Sequence, residues 1–350
     1  MNTKIIYLDE NKIDESQIKI AGEILHNGGL VAFPTETVYG LGADATNIEA
    51  VKKIFEAKGR PQDNPLIVHV ADFEDIKDYV LEIPKIAQEI IEAFWPGPLT
   101  VILKKSLKIP AITSAGLESV GIRMPVNVIA RKLIRAAGVP IAAPSANISG
   151  RPSPTEVKRC IEDLIGKVDC IVGGKSCQVG VESTIIDCTV DPPCILRPGA
   201  ITVDMLKKFD ERIYIDMAIM KKPEINFKPK APGMKYRHYA PNAPVKIIQG
   251  DLQKTIAKIN EIVQNYVDDK KLVGIMATDE TICKYLQGQA VSLGSRKDLE
   301  TIAKNLFETL RNFDDMKVDV ILSEAFEETG IGIAVMNRLK KSAGFDIINV

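Results

Sequence analysis

Apolar positions in the first two hundred residues switch repeatedly between helical and strand spacing. In DESQIKIAGEILHNGG, Ile20, Ile24 and Leu25 share a helical face, Asp14 and Ser16 are candidate N-caps, and Gly28-Gly29 is a stop. Strand-like LVAFP follows, then a helix over about 47–57, the strand LIVHVA, two helices within 73–94, and the strands LTVILKK and VGIRMP. A helix after Pro125, the strand PIAAP, the helix TEVKRCIEDLI and the strands DCIVGG, ESTIIDCT and CILRPG complete the series. This alternation predicts a mixed-sheet α/β domain over residues 1–209. From Val245 the order is VKIIQG, a helix to about Val267, KLVGIMAT, a short helix, AVSLG, LETIAKNLFETLRNF, VDVILSEAF and GIAVMNRLKKSA. Four strand-then-helix units over 245–350 predict a small, open, parallel, Rossmann-like sheet covered on both faces.

The stretch between them, 210–244, reads as a linker. Residues 217–244 hold five prolines, and six Lys/Arg against one acid. Within it PGMKYRHYAP crowds Lys235, Tyr236, Arg237, His238 and Tyr239 together, more hydrogen-bonding chemistry than a spacer needs, so the linker is expected to cross the active site.

Composition narrows the function. A formal net charge of -1 over 350 residues argues against a general nucleic-acid coat or membrane-surface protein, so any basic site must be local. The start MNTKIIYLDE lacks the apolar core of a signal peptide and no stretch reaches the ~18 apolar residues of a membrane span, which predicts a cytoplasmic protein without a membrane partner. Six cysteines without a C-x-x-C pair and three histidines predict reduced thiols and no zinc site.

Two glycine patterns fail on context. GLGADA does not follow a clean apolar strand and lacks a downstream ribose-binding acid, while GGKS has Asp169 where a P-loop needs its first glycine. A better constellation is spread along the first domain. PTETVYGLG places Thr35, Glu36, Thr37 and Tyr39 after a buried strand, and KGRPQDNPL supplies Lys58, Arg60 and Asn64 on a stiff, irregular loop. GIRMP sets Arg123 inside an apolar strand, where a guanidinium needs an anionic partner. AAPSANISG offers Ser145, Asn147 and Ser149 at a strand end, VESTIID carries Ser183, and ILRPG carries a second strand arginine, Arg197. His69 in LIVHVA reads from its neighbours as a core histidine. No nucleophile-plus-base pair stands out. Cations, hydroxyls and amides suit phosphoryl or nucleotidyl transfer, where positioning and charge stabilisation do the work.

Taken in order, GLVAFPTETVYGLG, KGRPQDNPL, WPGPLT, VGIRMP, APSANISG, VESTIID and ILRPG closely resemble the threonylcarbamoyl-AMP synthase family of the YrdC type. APGMKYRHYAP and GIGIAVMNRLKKSAG are similar to its longer, two-domain form, although the linker motif begins with Ala231 where the family often has serine. The resemblance implies a YrdC-like catalytic domain and an enzyme that makes L-threonylcarbamoyladenylate and pyrophosphate from L-threonine, bicarbonate and ATP with Mg²⁺. A separate threonylcarbamoyl transferase complex then modifies the adenosine beside the anticodon of tRNA, with at most a weak tRNA contact by the synthase. By resemblance Lys58 and Arg60 are catalytic, and ATP is bound by Lys58, Arg60, Gln62, Asn64, Ser145, Asn147, Arg197 and Tyr236. Threonine falls to Thr35, His69, Arg123, Ala143 and Ser183, with the metal held mainly by the ATP phosphates and not by protein side chains. The alternative is an RNA-binding module, gripping tRNA through its Lys/Arg residues and basic linker without nucleotidyl transfer. A carbamoyl-transfer domain of a maturation factor lacks the acylphosphatase-like or zinc-finger segment it should carry.

Overall fold

A computed structural model describes residues 2–221, 229–234 and 238–350, which divide into two compact units, 1–149 with 153–236, and 150–152 with 237–350. In the first unit the chain runs β1 (Lys4–Tyr7), α1 (Glu15–His26), β2 (Val31–Phe33), β3 (Gly40–Asp44), α2 (Ile48–Lys58), β4 (Ile67–His69), α3 (Lys85–Phe94), β5 (Leu99–Lys104) and β6 (Ser119–Arg123). It continues through α4 (Val128–Ala137), β7 (Ile141–Ala142), α5 (Val157–Leu164), β8 (Cys170–Gly173), β9 (Thr184–Asp187), β10 (Cys194–Arg197), α6 (Val203–Leu206) and β11 (Tyr214–Ile215). The strands form one mixed sheet in the order β1-β8-β2-β3-β7-β4-β6-β5-β9-β10-β11.

Strand alternation divides the apolar residues between two faces. Ala32, Leu41, Val68, Val101 and Ile122 pack with Ile54 of α2, Ile90 of α3 and Leu164 of α5. Val31, Phe33 and Val172 face the other way, against Leu25 of α1 and Leu133 of α4. Asp14 caps α1 as its position suggests, accepting from the Ser16 N–H at 2.9 Å. The buried stripe of α1, however, is Ile18, Ala21, Gly22 and Leu25, with Ile20 and Ile24 only partly buried on its flank. Gly22 sets that rotation, because a Cβ there would lie 2.7 Å from Ala136 Cβ of α4.

Four strands lie outside the predicted pattern: β1, β3, β11, which falls within the stretch read as linker, and the last strand of the second unit. GLGADA is the strand β3, antiparallel to β2 and β7, and not a strand-to-helix turn. It has no alternation because every position is buried, and Gly42 is forced by contact, a Cβ there lying 2.7 Å from Ile141. Residues 73–78 form a 3₁₀ turn, so 73–94 holds one α-helix and not two. Of the linker near this unit, Ala231 and Met234 pack into the cluster of Ile67, Ile102, Ile185 and Leu196.

The second unit contains β12 (Val245–Gln249), α7 (Leu252–Asp268), β13 (Val273–Ala277), β14 (Gln289–Ser292), α8 (Leu299–Met316), β15 (Val320–Glu324), α9 (Gly332–Ser342) and β16 (Ile347–Asn349). Its five strands, ordered β14-β13-β15-β12-β16, are all parallel. Ile259 and Val263 of α7 cover Ile248, Ile275 and Leu322 on one face, while α8 lies close enough on the other that a Cβ on Gly274 would sit 2.6 Å from Phe313. Residues 150–152 are held here: the Ala240 N–H donates to Gly150 O at 2.8 Å, and Arg311 donates through Nε and Nη2 to Pro152 O at 3.1 and 2.6 Å.

Candidate active site

The alternation that sends Val68, Ile122 and Val101 into one core places His69, Arg123 and Thr100 side by side on the opposite face. Register fixes the neighbours: His69 faces Arg123 across β4 and β6, and Thr100 faces Arg123 across β5 and β6. Ser183, just before β9, extends the row, its Oγ lying 2.8 Å from Thr100 Oγ1. Arg197, at the end of β10, donates through Nε to Ser183 O at 2.9 Å and through Nη2 to Ser183 Oγ at 3.0 Å. The row His69, Arg123, Thr100, Ser183, Arg197 is buried throughout.

Arg123 meets the anionic partner its strand position requires: Nη2 donates to Glu36 Oε1 at 2.6 Å, with both side chains less than a tenth exposed. Glu36 comes from the loop between β2 and β3, where Thr35 Oγ1 donates to Val38 O at 2.6 Å and accepts from the Thr37 N–H at 3.2 Å. That loop is tied to the one after β7 by the Ala146 N–H, which donates to Tyr39 O at 2.8 Å. Ala143 is buried at the exit of β7, its N–H donating to Ile67 O at 2.9 Å.

The loop after β7 carries Ser145 and Asn147, joined by Ser145 Oγ donating to Asn147 Oδ1 at 2.6 Å. Beneath it lies Lys58, whose ammonium donates to the carbonyls of both Ser145 and Asn147. The sequence places Lys58 on an irregular loop, but it is the last residue of α2, 2 % exposed, and the turn begins at Gly59, which takes the left-handed φ of 62°. This turn sends Arg60 back to donate to Pro65 O at 3.1 Å, beside the buried Asn64. Gln62 points to solvent. Tyr236 and Arg237 lie outside the described residues, so Tyr236 has no placement here.

Burial first, and then the Arg123 charge, push the His69 imidazole down to about 3, so it is neutral across the physiological range. Its Nδ1 has no hydrogen-bond partner, and neither does the buried Asn64 Oδ1. Five of the six cysteines are buried free thiols, and burial raises Cys170 to about 11 and Cys188 to about 12. Among the described residues no group of three or more His, Cys, Asp or Glu could hold a metal ion, and no helix is long and apolar enough to cross a membrane.

Two members of this constellation, Glu36 and Thr100, are absent from the site residues assigned by resemblance. Glu36 had a signal in the sequence, an acid between hydroxyls right after a buried strand. Thr100 had only the alternation of LTVILKK, which does not tell a site face from a core face.

Buried arginines lie beside a carboxylate, hydroxyls and a Ser-x-Asn loop in an α/β unit, and comparison gives the class of the protein as an adenylyl-transferring enzyme. A crystal structure of Pyrococcus abyssi Sua5 complexed with L-threonine matches with a TM-score of 0.94 and 48% identity over 99% of this chain and 100% of that one. The threonylcarbamoyl-AMP synthase of that organism is 48% identical over 346 residues, 99% of each chain, and that of Bacillus subtilis 46% over 342 residues, 97% of this chain and 96% of the other. The Sua5/YciO/YrdC family, described as telomere recombination, matches residues 23–199, and the threonylcarbamoyl-AMP synthase C-terminal domain matches 201–344. The chain belongs to the threonylcarbamoyl-AMP synthase family.

Proposed function

We propose that the protein forms L-threonylcarbamoyladenylate and pyrophosphate from L-threonine, bicarbonate and ATP, the ATP entering as its magnesium complex. The adenylate passes in the cytoplasm to a separate transferase complex that modifies tRNA beside the anticodon. The observation that carries this reading is the buried row of His69, Arg123, Thr100, Ser183 and Arg197, in the same unit as a Ser-x-Asn loop clamped by Lys58. The catalytic domain is 1–209, the linker 210–244 closes over the substrates with Tyr236 reaching ATP, and 245–350 anchors its far end.

In this reading threonine sits with its carboxylate on Arg123 and its hydroxyl near Thr35 and the neutral His69, with Ala143 and Ser183 completing the pocket. A methyl contact alone separates threonine from serine by only ~1–3 kcal/mol, so discrimination at this step is modest. The nucleotide lies over Ser145 and Asn147, with Arg60, Gln62, Asn64 and Arg197 around its phosphates and ribose. Lys58 serves first by holding the loop, since two of its N–H groups are taken by backbone carbonyls, while its charge offsets that of the triphosphate. The carbamate of threonine is already an oxyanion, so its attack on the α-phosphorus needs no strong base. What it needs is cations to offset repulsion between two anions and to stabilise the departing pyrophosphate.

The test is to supply ATP, bicarbonate and isotopically labelled threonine, trap the product and read its mass. Pyrophosphate release should require all three substrates; release that persists without bicarbonate rejects the reading. Tight, steeply salt-dependent RNA binding without ATP turnover would favour an RNA-binding module instead.

A further inference from the structure

Glu36 has no role in the mechanism above, yet it is the most incompletely bonded carboxylate near the site. Its Oε1 accepts from Arg123 Nη2 at 2.6 Å, while Oε2 is buried without any hydrogen-bond partner, in a residue that is 8% exposed. Arg123 is also only partly engaged. Among the described residues its partners are Glu36 Oε1 and, at 3.4 Å from Nε, Gly97 O, and no hydrogen bond engages Nη1. A buried guanidinium and carboxylate that serve only each other frequently close two parallel bonds. One bond forms here, and it leaves N–H donors of Arg123 next to a buried acceptor oxygen.

An α-amino acid presents the complement of this pair, a carboxylate and an ammonium on one carbon. We propose that Glu36 and Arg123 together form a receptor for the amino-acid zwitterion, with the substrate carboxylate on the open N–H groups of Arg123 and the α-ammonium on Glu36 Oε2. This rests on the synthase reading and adds to it a residue that selects α-amino acids over hydroxy acids. It also sets the direction of the next step. When the nitrogen bonds to the carbon of bicarbonate, water and one proton leave, and the resulting carbamate keeps a single N–H. Held on the same Glu36 oxygen, that N–H turns the new carbamate oxygens away from the Glu36 carboxylate by like-charge repulsion.

The test is calorimetric, on the full chain without ATP, with L-threonine and with 2,3-dihydroxybutanoate, in which a hydroxyl replaces the ammonium. In the wild type the hydroxy acid should bind at least about ten-fold more weakly, the size of a charge-assisted hydrogen bond. Glu36→Gln, which can still accept from Arg123, should weaken threonine at least about ten-fold and leave the hydroxy acid unchanged or tighter. Should that variant not fold, Glu36→Asp withdraws the oxygen but keeps the charge, and threonine should again lose more than the analogue. Equal losses for the two ligands would make Glu36 only a neutraliser of Arg123, and equal wild-type affinities would reject the receptor outright. Adenylate formation by the wild type is scored separately, so failure of the synthase reading and failure of the receptor give different results.

Discussion

Each unit pairs a buried glutamate with an arginine, Glu36 with Arg123 and Glu324 with Arg296, and the two carboxylates are finished differently. In the second unit Glu324 is fully buried at the end of the central strand β15, and both its oxygens are engaged. Oε1 accepts from Tyr285 OH at 2.6 Å and from the Thr281 hydroxyl, and Oε2 from Arg296 Nη2. Arg296 Nη1 then donates to Ala325 O at 2.9 Å, and its guanidinium lies 5.5 Å from the centre of the Phe326 ring. Burial and the Glu324 contact both push the Tyr285 phenol up, keeping it a donor. In the first unit Glu36 uses one oxygen of two. Residue types are the same in both places and both carboxylates are buried, but Arg123 is buried with its partner whereas the Arg296 side chain is 23% exposed. What separates the two carboxylates is whether their hydrogen-bonding capacity is already spent: both oxygens of Glu324 are engaged, and one of Glu36 is not.

The largest effect should come from Arg123→Ala, which leaves Glu36 as a buried, unpaired carboxylate. A stability loss of about 3–5 kcal/mol in denaturant titration should accompany at least a ~100-fold fall in threonine-dependent pyrophosphate release. A large stability loss with normal turnover would erase the distinction between the pairs. Glu324→Ala tests the other side: Arg296 is partly exposed, so about 2 kcal/mol of stability should go, while turnover per folded molecule stays within roughly two-fold. A selective loss of turnover there would make the second pair functional after all.

Lys58→Ala frees the Ser145–Asn147 loop and should slow turnover more than about ten-fold, or ~1.4 kcal/mol in transition-state terms. Wild-type rates would remove Lys58 from the mechanism. The His69 imidazole is harder to protonate in the folded protein than in the unfolded chain, so its contribution to stability is intact above about pH 6.5 and erodes as the pH falls toward 3. The loss should be about 1 kcal/mol by pH 5.5, and His69→Asn should flatten that part of the melting-temperature profile. The smallest effect expected is that of Tyr236→Ala, a roughly three-fold loss of turnover with an unchanged melting temperature. Unimpaired kinetics would reduce the linker to a spacer.

Much of this architecture was legible in the sequence because helical apolar spacing marks an element wherever it is half-exposed, as in α7 and α8, and in α1, whose cap was read correctly although its buried stripe is rotated. The pattern fails where burial is complete on both faces. GLGAD reads as a glycine loop because nothing in it alternates, although all five residues are buried in β3. β1 fails for the opposite reason: of KIIY only Ile6 is buried, so its apolar residues do not mark a face. The site divides in the same way. Arg123 was legible because a charge within an apolar strand demands a partner. Lys58 was legible as a charge and misread as a place, since the neighbouring glycine and prolines suggest a loop while the helix runs on to Lys58 itself. Glu36 was visible as an acid among hydroxyls, but its pairing with Arg123 and its one unserved oxygen follow only from the fold.

The assignment of residues 150–152 to the second unit bears on how the protein can be dissected. The chain enters that unit twice, first for three residues directly after the Ser145–Ser149 loop and again from residue 237 onward. One proteolytic nick near 236 would therefore not release an autonomous first unit. An excised 1–236 fragment would retain Gly150, Arg151 and Pro152 but lose Ala240, Asp314 and Arg311, which hold them. The frayed stretch would begin one residue beyond Ser149, whose N–H donates to Lys58 O at 2.9 Å. A truncated enzyme would thus be damaged first beside its Ser145–Asn147 loop, well before its hydrophobic core.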